Sequence, residues 1–321
     1  MYLIKNPINA IGLIVFNLDV MANIKSEISK LKKEKNAIIL AHYYQPLEIQ
    51  DLADYVGDSF DLSKKARDDN SGRIIFCGVN FMAETAKILS PDKIVLNPNS
   101  LAQCPMARMI SEERIEELRS ENPGASVMCY VNTTANVKAV SDICVTSSSA
   151  VNIVNNINSE EIIFVPDMNL ANYVQRFTDK TIIPGFGYCY VHNKFQPDIL
   201  RRAKEQNPDA VVLVHPECVP EVINLSDAAL STSGILNHVA ESKADKFIIG
   251  TEEGLIKRLQ RMFPDKTFYS IGSPGVCVNM KKISLEDIRN SLVNDKYKVE
   301  LSDEIIKKAS ISLNRMIEYN F

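Results

Sequence analysis

Three cysteines, Cys104, Cys189 and Cys277, recur at intervals of 85 and 88 residues, each in a loop rich in Pro or Gly. A lone cysteine is most often a small buried apolar residue. Cys77, Cys129 and Cys144, inside or at the ends of apolar runs, read that way, and Cys218 is assigned no role. The recurrent three differ. Brought to one point by symmetry, three thiolates suit a [4Fe–4S] cluster with three Cys ligands and one open iron. Such an iron is a Lewis acid, able to hold a hydroxyl or carboxylate and promote loss of water. Zinc held by the three cysteines and His192 is the competing reading, and thiolate softness accommodates either metal. The chain has only four histidines. His42, His192 and His215 fall where an α/β fold would gather its site loops, which points to proton transfer or anion binding. His238 reads as an ordinary exposed side chain.

What must position these residues is a threefold internal repeat. The apolar stretch 37–41 runs into His42 and Tyr44, the stretch 126–129 into Tyr130 and Asn132, and the stretch 210–214 into His215 and Glu217. At the same interval, Asp58-Ser59, Thr146-Ser147 and Ser231-Thr232 each precede a helical stretch. Apolar strands over 74–76, 162–164 and 247–249 follow, then an amphipathic helix, then the pairs Asp92-Lys93, Asp179-Lys180 and Asp265-Lys266, and then the recurrent cysteine. Strands of about five residues alternating with helices of about ten imply parallel strands joined by right-handed crossovers, with helices on both faces. The expected fold is α/β: three pseudo-threefold-related αβα three-layer domains with parallel sheets around a central cluster and active site. The expected division is an N-terminal extension over 1–22, repeat 1 over 23–107, repeat 2 over 108–192, and repeat 3 with C-terminal helices over 193–321. The apolar but interrupted start suggests that Met21 opens the first good helix, over 23–35, and the helical end is expected to pack back on the first unit. In open parallel sheets ligands bind beyond the carboxyl ends of the strands, where the polar residues above are placed.

Composition excludes other classes. At 45% hydrophobic and 24% charged the chain is globular, and its net charge of −4 argues against nucleic acid held through phosphates. No stretch is apolar enough to span a membrane, and the start lacks a signal-peptide pattern. Seven cysteines, an odd number with no C-x-x-C pair, fit a reducing compartment, so a cytoplasmic location is expected. Neither a G-x-x-x-x-G-K-S/T loop nor an H-E-x-x-H motif occurs, which leaves small polar molecules as the expected substrates.

The segments Ala41-His-Tyr-Tyr-Gln45, Val56-Gly-Asp-Ser59, Gly78-Val-Asn-Phe-Met-Ala-Glu-Thr85, Tyr130-Val-Asn132, His215-Pro-Glu-Cys218 and Ser231-Thr-Ser233 resemble those of the quinolinate synthases, as does the placement of the three cysteines. The resemblance runs from about Asn23 to about Leu292. It implies a pseudo-symmetric trimer of αβα domains around a [4Fe–4S] cluster held by Cys104, Cys189 and Cys277. It also implies condensation of iminosuccinate (iminoaspartate) with dihydroxyacetone phosphate to quinolinate, phosphate and water, in de novo NAD biosynthesis. Carried over by position, His42, Ser59, Tyr130, Val131, Asn132, Ser147, His215, Pro216, Glu217 and Thr232 match the residues that bind iminosuccinate. Tyr44 and Glu217 match the proton-transfer positions, with His192 beside the open iron. A functional link to the enzyme that supplies unstable iminosuccinate follows from the same resemblance. Behind this reading stand a [4Fe–4S] hydro-lyase acting on another carboxylic acid, a ligand-binding sensor without turnover, and a zinc protein.

Overall fold

The computed structural model describes residues 7–319. Its strands form three separate four-stranded parallel sheets. The first contains β1 (Ala37–His42), β2 (Tyr55–Gly57), β3 (Arg73–Cys77) and β4 (Ile94–Leu96). The second contains β5 (Ser126–Tyr130), β6 (Ile143–Val145), β7 (Glu161–Val165) and β8 (Thr181–Pro184), and the third β9 (Val211–Val214), β10 (Ala228–Ala229), β11 (Lys246–Gly250) and β12 (Thr267–Ser270). The orders are β2-β1-β3-β4, β6-β5-β7-β8 and β10-β9-β11-β12, so one topology is used three times. Register repeats as well: Ile39 pairs with Ile75, Val127 with Ile163, and Val212 with Ile248. The strands are near-continuous apolar runs, as expected when helices cover both faces of a parallel sheet. All of β1 is buried, as are four of the five residues in each of β3, β5, β7 and β11. The α/β expectation therefore holds, with three helix-flanked parallel sheets.

Two devices repeat that the landmarks only hinted at. In each sheet an aspartate fifteen residues downstream accepts a central-strand amide. Ile39 N–H donates to Asp54 at 2.8 Å, Val127 N–H to Asp142 at 2.7 Å and Val212 N–H to Asp227 at 2.7 Å. Each aspartate's own amide donates back to the carbonyl of the same strand residue. The side chain thus satisfies a buried backbone group just where the short edge strand begins. The second device explains the Asp-Lys pairs. Lys93 donates to Ala66 O at 2.8 Å, Lys180 to Ile157 O, and Lys266 to Ser242 O at 2.6 Å. Each carbonyl lies in or just beyond the last turn of a helix, Ser59–Asp68, Ala150–Asn156 or Thr232–Glu241. A lysine there satisfies an orphan carbonyl and complements the negative helix end.

Of the C-terminal helices, one packs back on the first unit as expected and the last does not. Leu285–Asn294 packs on the helix Pro7–Glu34 of the first unit, sharing a core of Ile24, Ile28, Ile288 and Leu292 with one face of the first sheet. The last helix, Asp303–Glu318, instead lies mainly on Ala135–Val140 and β6 of the second unit. Its Ala309, Leu313, Met316 and Ile317 are buried there, and Ser312 Oγ donates to Lys138 O at 2.8 Å. Ala135–Val140 is only six residues long, and the last helix packs against it. Of the expected extension 1–22, residues 1–6 lie outside the described residues and the rest enters the helix Pro7–Glu34. No described helix is long and apolar enough to cross a membrane.

If the aspartate is the acceptor that lets an edge strand start, Asp227→Ala leaves the buried Val212 amide unpaired. A loss of about 1–3 kcal/mol is expected, seen as a lower urea midpoint with an unchanged slope.

Candidate active site

The carboxyl ends of the three sheets converge on one cavity. The wall gathers His42, Tyr44, Ser59, Tyr130, Asn132, Ser147, His215, Glu217 and Thr232 with Cys104, Cys189 and Cys277. His192 joins them through hydrogen bonds, described below. Val131 and Pro216 are buried but are not among the lining residues.

Glu217 is the hub. Its Oε1 accepts from Tyr130 OH at 2.6 Å and from Asn132 Nδ2 at 3.4 Å, while Oε2 lies 2.6 Å from His192 Nδ1. Burial alone would push this carboxyl up, but His215 and His192 and the hydrogen bonds from His192 and Tyr130 hold it below the usual carboxylate range. With Glu217 ionised, His192 Nδ1 must donate to it. Where His192 Nε2 accepts from Thr251 Oγ1 at 2.8 Å, Thr251 in turn accepts from Tyr44 OH at 2.8 Å, and Tyr44 from Thr232 Oγ1 at 3.2 Å. The donors therefore run in one direction, from Thr232 through Tyr44, Thr251 and His192 to Glu217. Burial and the Glu217 charge raise both Tyr44 and Tyr130 well above the ordinary phenol range, so they stay protonated donors.

His42 and His215 occupy equivalent slots of repeats 1 and 3 and are held alike. Tyr44 N–H donates to His42 Nδ1 at 3.2 Å and Glu217 N–H to His215 Nδ1 at 3.3 Å. A donor facing Nδ1 requires a lone pair there, which puts the ring proton of each neutral imidazole on Nε2. Burial lowers both histidines to about 3, with His215 adding to the effect on His42 and Glu217 opposing it at both. His215 also stacks on His192, with centroids 4.5 Å apart. Two helices begin at the cavity, with Ser59 and Thr232 at their first positions, so their positive ends face the site. Among the described residues, no Lys or Arg lines the cavity. Asn132 Oδ1 is buried with no partner among the described residues.

The three cysteines share a local geometry. At each, the backbone amide three residues ahead favours the thiolate: Ala107 for Cys104, His192 for Cys189 and Met280 for Cys277. Tyr190 OH also donates to Cys277 Sγ at 3.6 Å. These amides favour thiolates, yet burial pushes Cys104 up to about 12, Cys189 well up, and Cys277 up. Half-buried thiols whose ionisation is held back are suited to a metal, which binds the thiolate and removes that penalty. Cys189, His192 and Glu217 each offer an atom within 4.8 Å of the others and could hold a metal ion, and Cys104 and Cys277 stand outside that tight group. The remaining cysteines are buried away from the cavity, with Cys129 Sγ 3.3 Å from Cys144 Sγ and Cys218 Sγ on Gly250 O.

Sequence reasoning missed Thr251, which links His192 to Tyr44. It follows the last residue of β11, and reading the repeat one residue past that strand (Gly78, Pro166, Thr251) would have shown the only hydroxyl at that slot. It also missed Asp167 and Glu252, one residue further on. Each caps a helix and accepts the amide of a cysteine, Cys189 or Cys277.

A family model described as quinolinate synthetase A protein matches residues 26–318. A quinolinate synthase of Methanoregula boonei is 49% identical over 300 residues, covering 94% of this chain and 99% of the relative. One from Pyrococcus furiosus is 47% identical over 303 residues, with the same coverage. One from Clostridioides difficile is 50% identical over 291 residues, covering 90% of this chain and 96% of the relative.

Because both imidazoles are neutral when folded, the unfolded chain binds more protons between about 6.5 and about 3. Their stabilisation is complete above pH 6.5 and is lost as pH falls toward 3. The urea midpoint should therefore drop on acidification, and drop less in His42→Gln. Equal acid sensitivity of the two proteins would show that His42 is not held neutral.

Proposed function

This chain belongs to the quinolinate synthetase A family and is an enzyme, and from that premise we propose that it condenses iminosuccinate with dihydroxyacetone phosphate. The products are quinolinate, phosphate and water, and the role is in NAD biosynthesis. The observation that carries the reading is the one-way hydrogen-bond chain ending on Glu217 inside a cavity lined by three thiols.

The substrate is anionic, and among the described residues the cavity wall carries no ammonium or guanidinium. Its carboxylates are bound by neutral donors and helix ends: Nε2–H of His42 and His215, the hydroxyls of Ser59 and Ser147, and the positive helix N-termini beside Ser59 and Thr232. Asn132 Oδ1, an acceptor lacking a protein partner, suits the imine N–H. Glu217 is the general base. It takes a proton at a carboxylate oxygen, and the Tyr130 and His192 bonds stabilise its charge before and relax after the transfer. Tyr44 delivers the opposite proton, and its own is replaced from Thr232, the hydroxyl that donates to it. The buried walls exclude water from an unstable imine.

Cys104, Cys189 and Cys277 are the residues that would hold a [4Fe–4S] cluster, which when bound supplies an iron without a protein ligand to assist loss of hydroxyl. The spread of Cys104 and Cys277 away from the tight Cys189–His192–Glu217 group supports a multi-iron cluster over one tetrahedral zinc.

Anaerobically loaded protein given iminosuccinate generated in place and dihydroxyacetone phosphate should form quinolinate, detected by mass spectrometry, and Cys104→Ser should form none. Loaded protein that makes no quinolinate would return the assignment to a hydro-lyase or a sensor. Glu217→Gln should lower kcat about 10²–10⁴-fold. Thr251→Val removes the link between His192 and Tyr44 and should cost about 10²-fold through misplacement of those groups, with Thr251→Ser restoring most of it.

A further inference from the structure

Each recurrent cysteine loop is tied to the helix that follows the third strand of its unit. In all three, the first helical residue donates its N–H to the carbonyl two residues before the cysteine. Asn80 donates to Ala102 at 2.8 Å, Met168 to Gly187 at 2.8 Å and Glu253 to Gly275 at 2.7 Å. The approach is close: a Cβ on Gly187 or Gly275 would lie 2.9 Å from a carbonyl oxygen of Pro166 or Thr251.

Repeats 2 and 3 add a second tie that repeat 1 lacks. The helix N-cap positions are equivalent, at Val79, Asp167 and Glu252. Asp167 accepts Leu170 N–H on Oδ1 at 2.8 Å and Cys189 N–H on Oδ2 at 3.2 Å. Glu252 accepts Gly254 N–H on Oε2 at 2.6 Å and Cys277 N–H on Oε1 at 3.1 Å, and Lys281 lies 3.0 Å from Oε1. One oxygen of each carboxyl caps the helix, and the other holds the backbone amide of a cysteine. Both side chains are fully buried. Val79 has no side-chain cap, so the Cys104 loop is tied through backbone alone.

A helix cap needs only one acceptor, and Ser or Thr would supply it at less cost than a buried carboxyl. The second oxygen is what the cysteines use. We propose that Asp167 and Glu252 are positioning residues for the metal centre: they fix the backbone of two of its three ligands and tune its reduction potential. The proposal rests on the reading that the three cysteines hold an iron–sulfur cluster. An amide locked onto a side-chain oxygen is withdrawn from donation to cluster sulfur, so freeing it would raise the potential. Hydrogen bonds to sulfur and local charge are the protein's levers on such potentials. The two-against-one arrangement also makes the Cys104 corner unlike the other two.

The test uses anaerobically loaded full-length protein, with Asp167→Asn and Glu252→Gln as near-isosteric variants and Asp227→Asn as a control. Asp227 makes the same kind of bond to a strand amide but lines no part of the cavity. Iron per chain, the reduction potential by redox titration, and the electron paramagnetic resonance spectrum of the reduced protein are read for each. Both variants should load iron, shift the potential to more positive values, and alter the spectrum. Asp227→Asn should lower the urea midpoint and leave potential and spectrum at their wild-type values. Variants that load fully with wild-type potential and spectrum overturn the proposal, and so does an equal shift in Asp227→Asn. If one variant fails to fold, the other decides. Wild-type protein that takes up no iron removes the cluster reading itself, a result distinct from the loss of the positioning role alone.

Discussion

A buried carboxylate sets the terms for this structure. Placing Glu217 out of water costs several kcal/mol unless the charge is paired and its lone pairs are filled. No single repeat can supply the partners. Tyr130 and Asn132 come from the second sheet, His192 from the loop beyond it, and Glu217 itself from the third. Thr251 and Thr232 of the third unit and Tyr44 of the first complete the chain. Where His192 Nε2 accepts from Thr251, the ionised state of one group fixes the donor direction of every member behind it. Satisfying Glu217 therefore demands that the three units close on one another, so the site's chemistry and the packing of the units are the same constraint.

The threefold plan is kept where it builds scaffold and broken where it builds chemistry. The aspartates on strand amides and the lysines on helix ends recur unchanged because every sheet has the same unpaired amide and every crossover helix the same orphan carbonyls. At the carboxyl ends, equivalent slots hold different groups: His42, Tyr130 and His215, then Tyr44, Asn132 and Glu217. Three identical slots would present a symmetric wall of like groups, and like charges packed together would repel. The departures give one base, protonated phenols, neutral N–H donors and one free acceptor on a common wall.

This division explains what was legible beforehand. Five landmarks at a constant interval disclosed the repeat, the parallel sheets and the convergence of His42, Tyr130 and His215, because a buried strand leaves an unmistakable apolar run and its end is the next residue. Thr251, Asp167 and Glu252 were not visible, since a Thr after a strand and an acid at a helix start are common and local. Their second partners are distant in sequence: 207 residues separate Thr251 from Tyr44, and 25 separate Glu252 from Cys277. Val131 and Pro216 sit inside the matching motifs without being among the lining residues, between neighbours that are. The last helix was misplaced. Amphipathicity shows that a face must be covered, and the choice of cover depends on which neighbour leaves apolar surface exposed.

Charge balance ties these strands together. The cavity combines an ionised Glu217 and three thiols, yet among the described residues none that lines it is Lys or Arg. A basic cluster would bind a dicarboxylate more tightly, but it would also pair with Glu217 and weaken it as a base. Neutral imidazoles held as Nε2–H donors, hydroxyls and helix ends bind anions through hydrogen bonds and partial charge. They leave the carboxylate's basicity to be set by Tyr130 and His192. The low values of His42 and His215 follow from the same requirement, because a protonated imidazole beside Glu217 would neutralise the group on which the site depends.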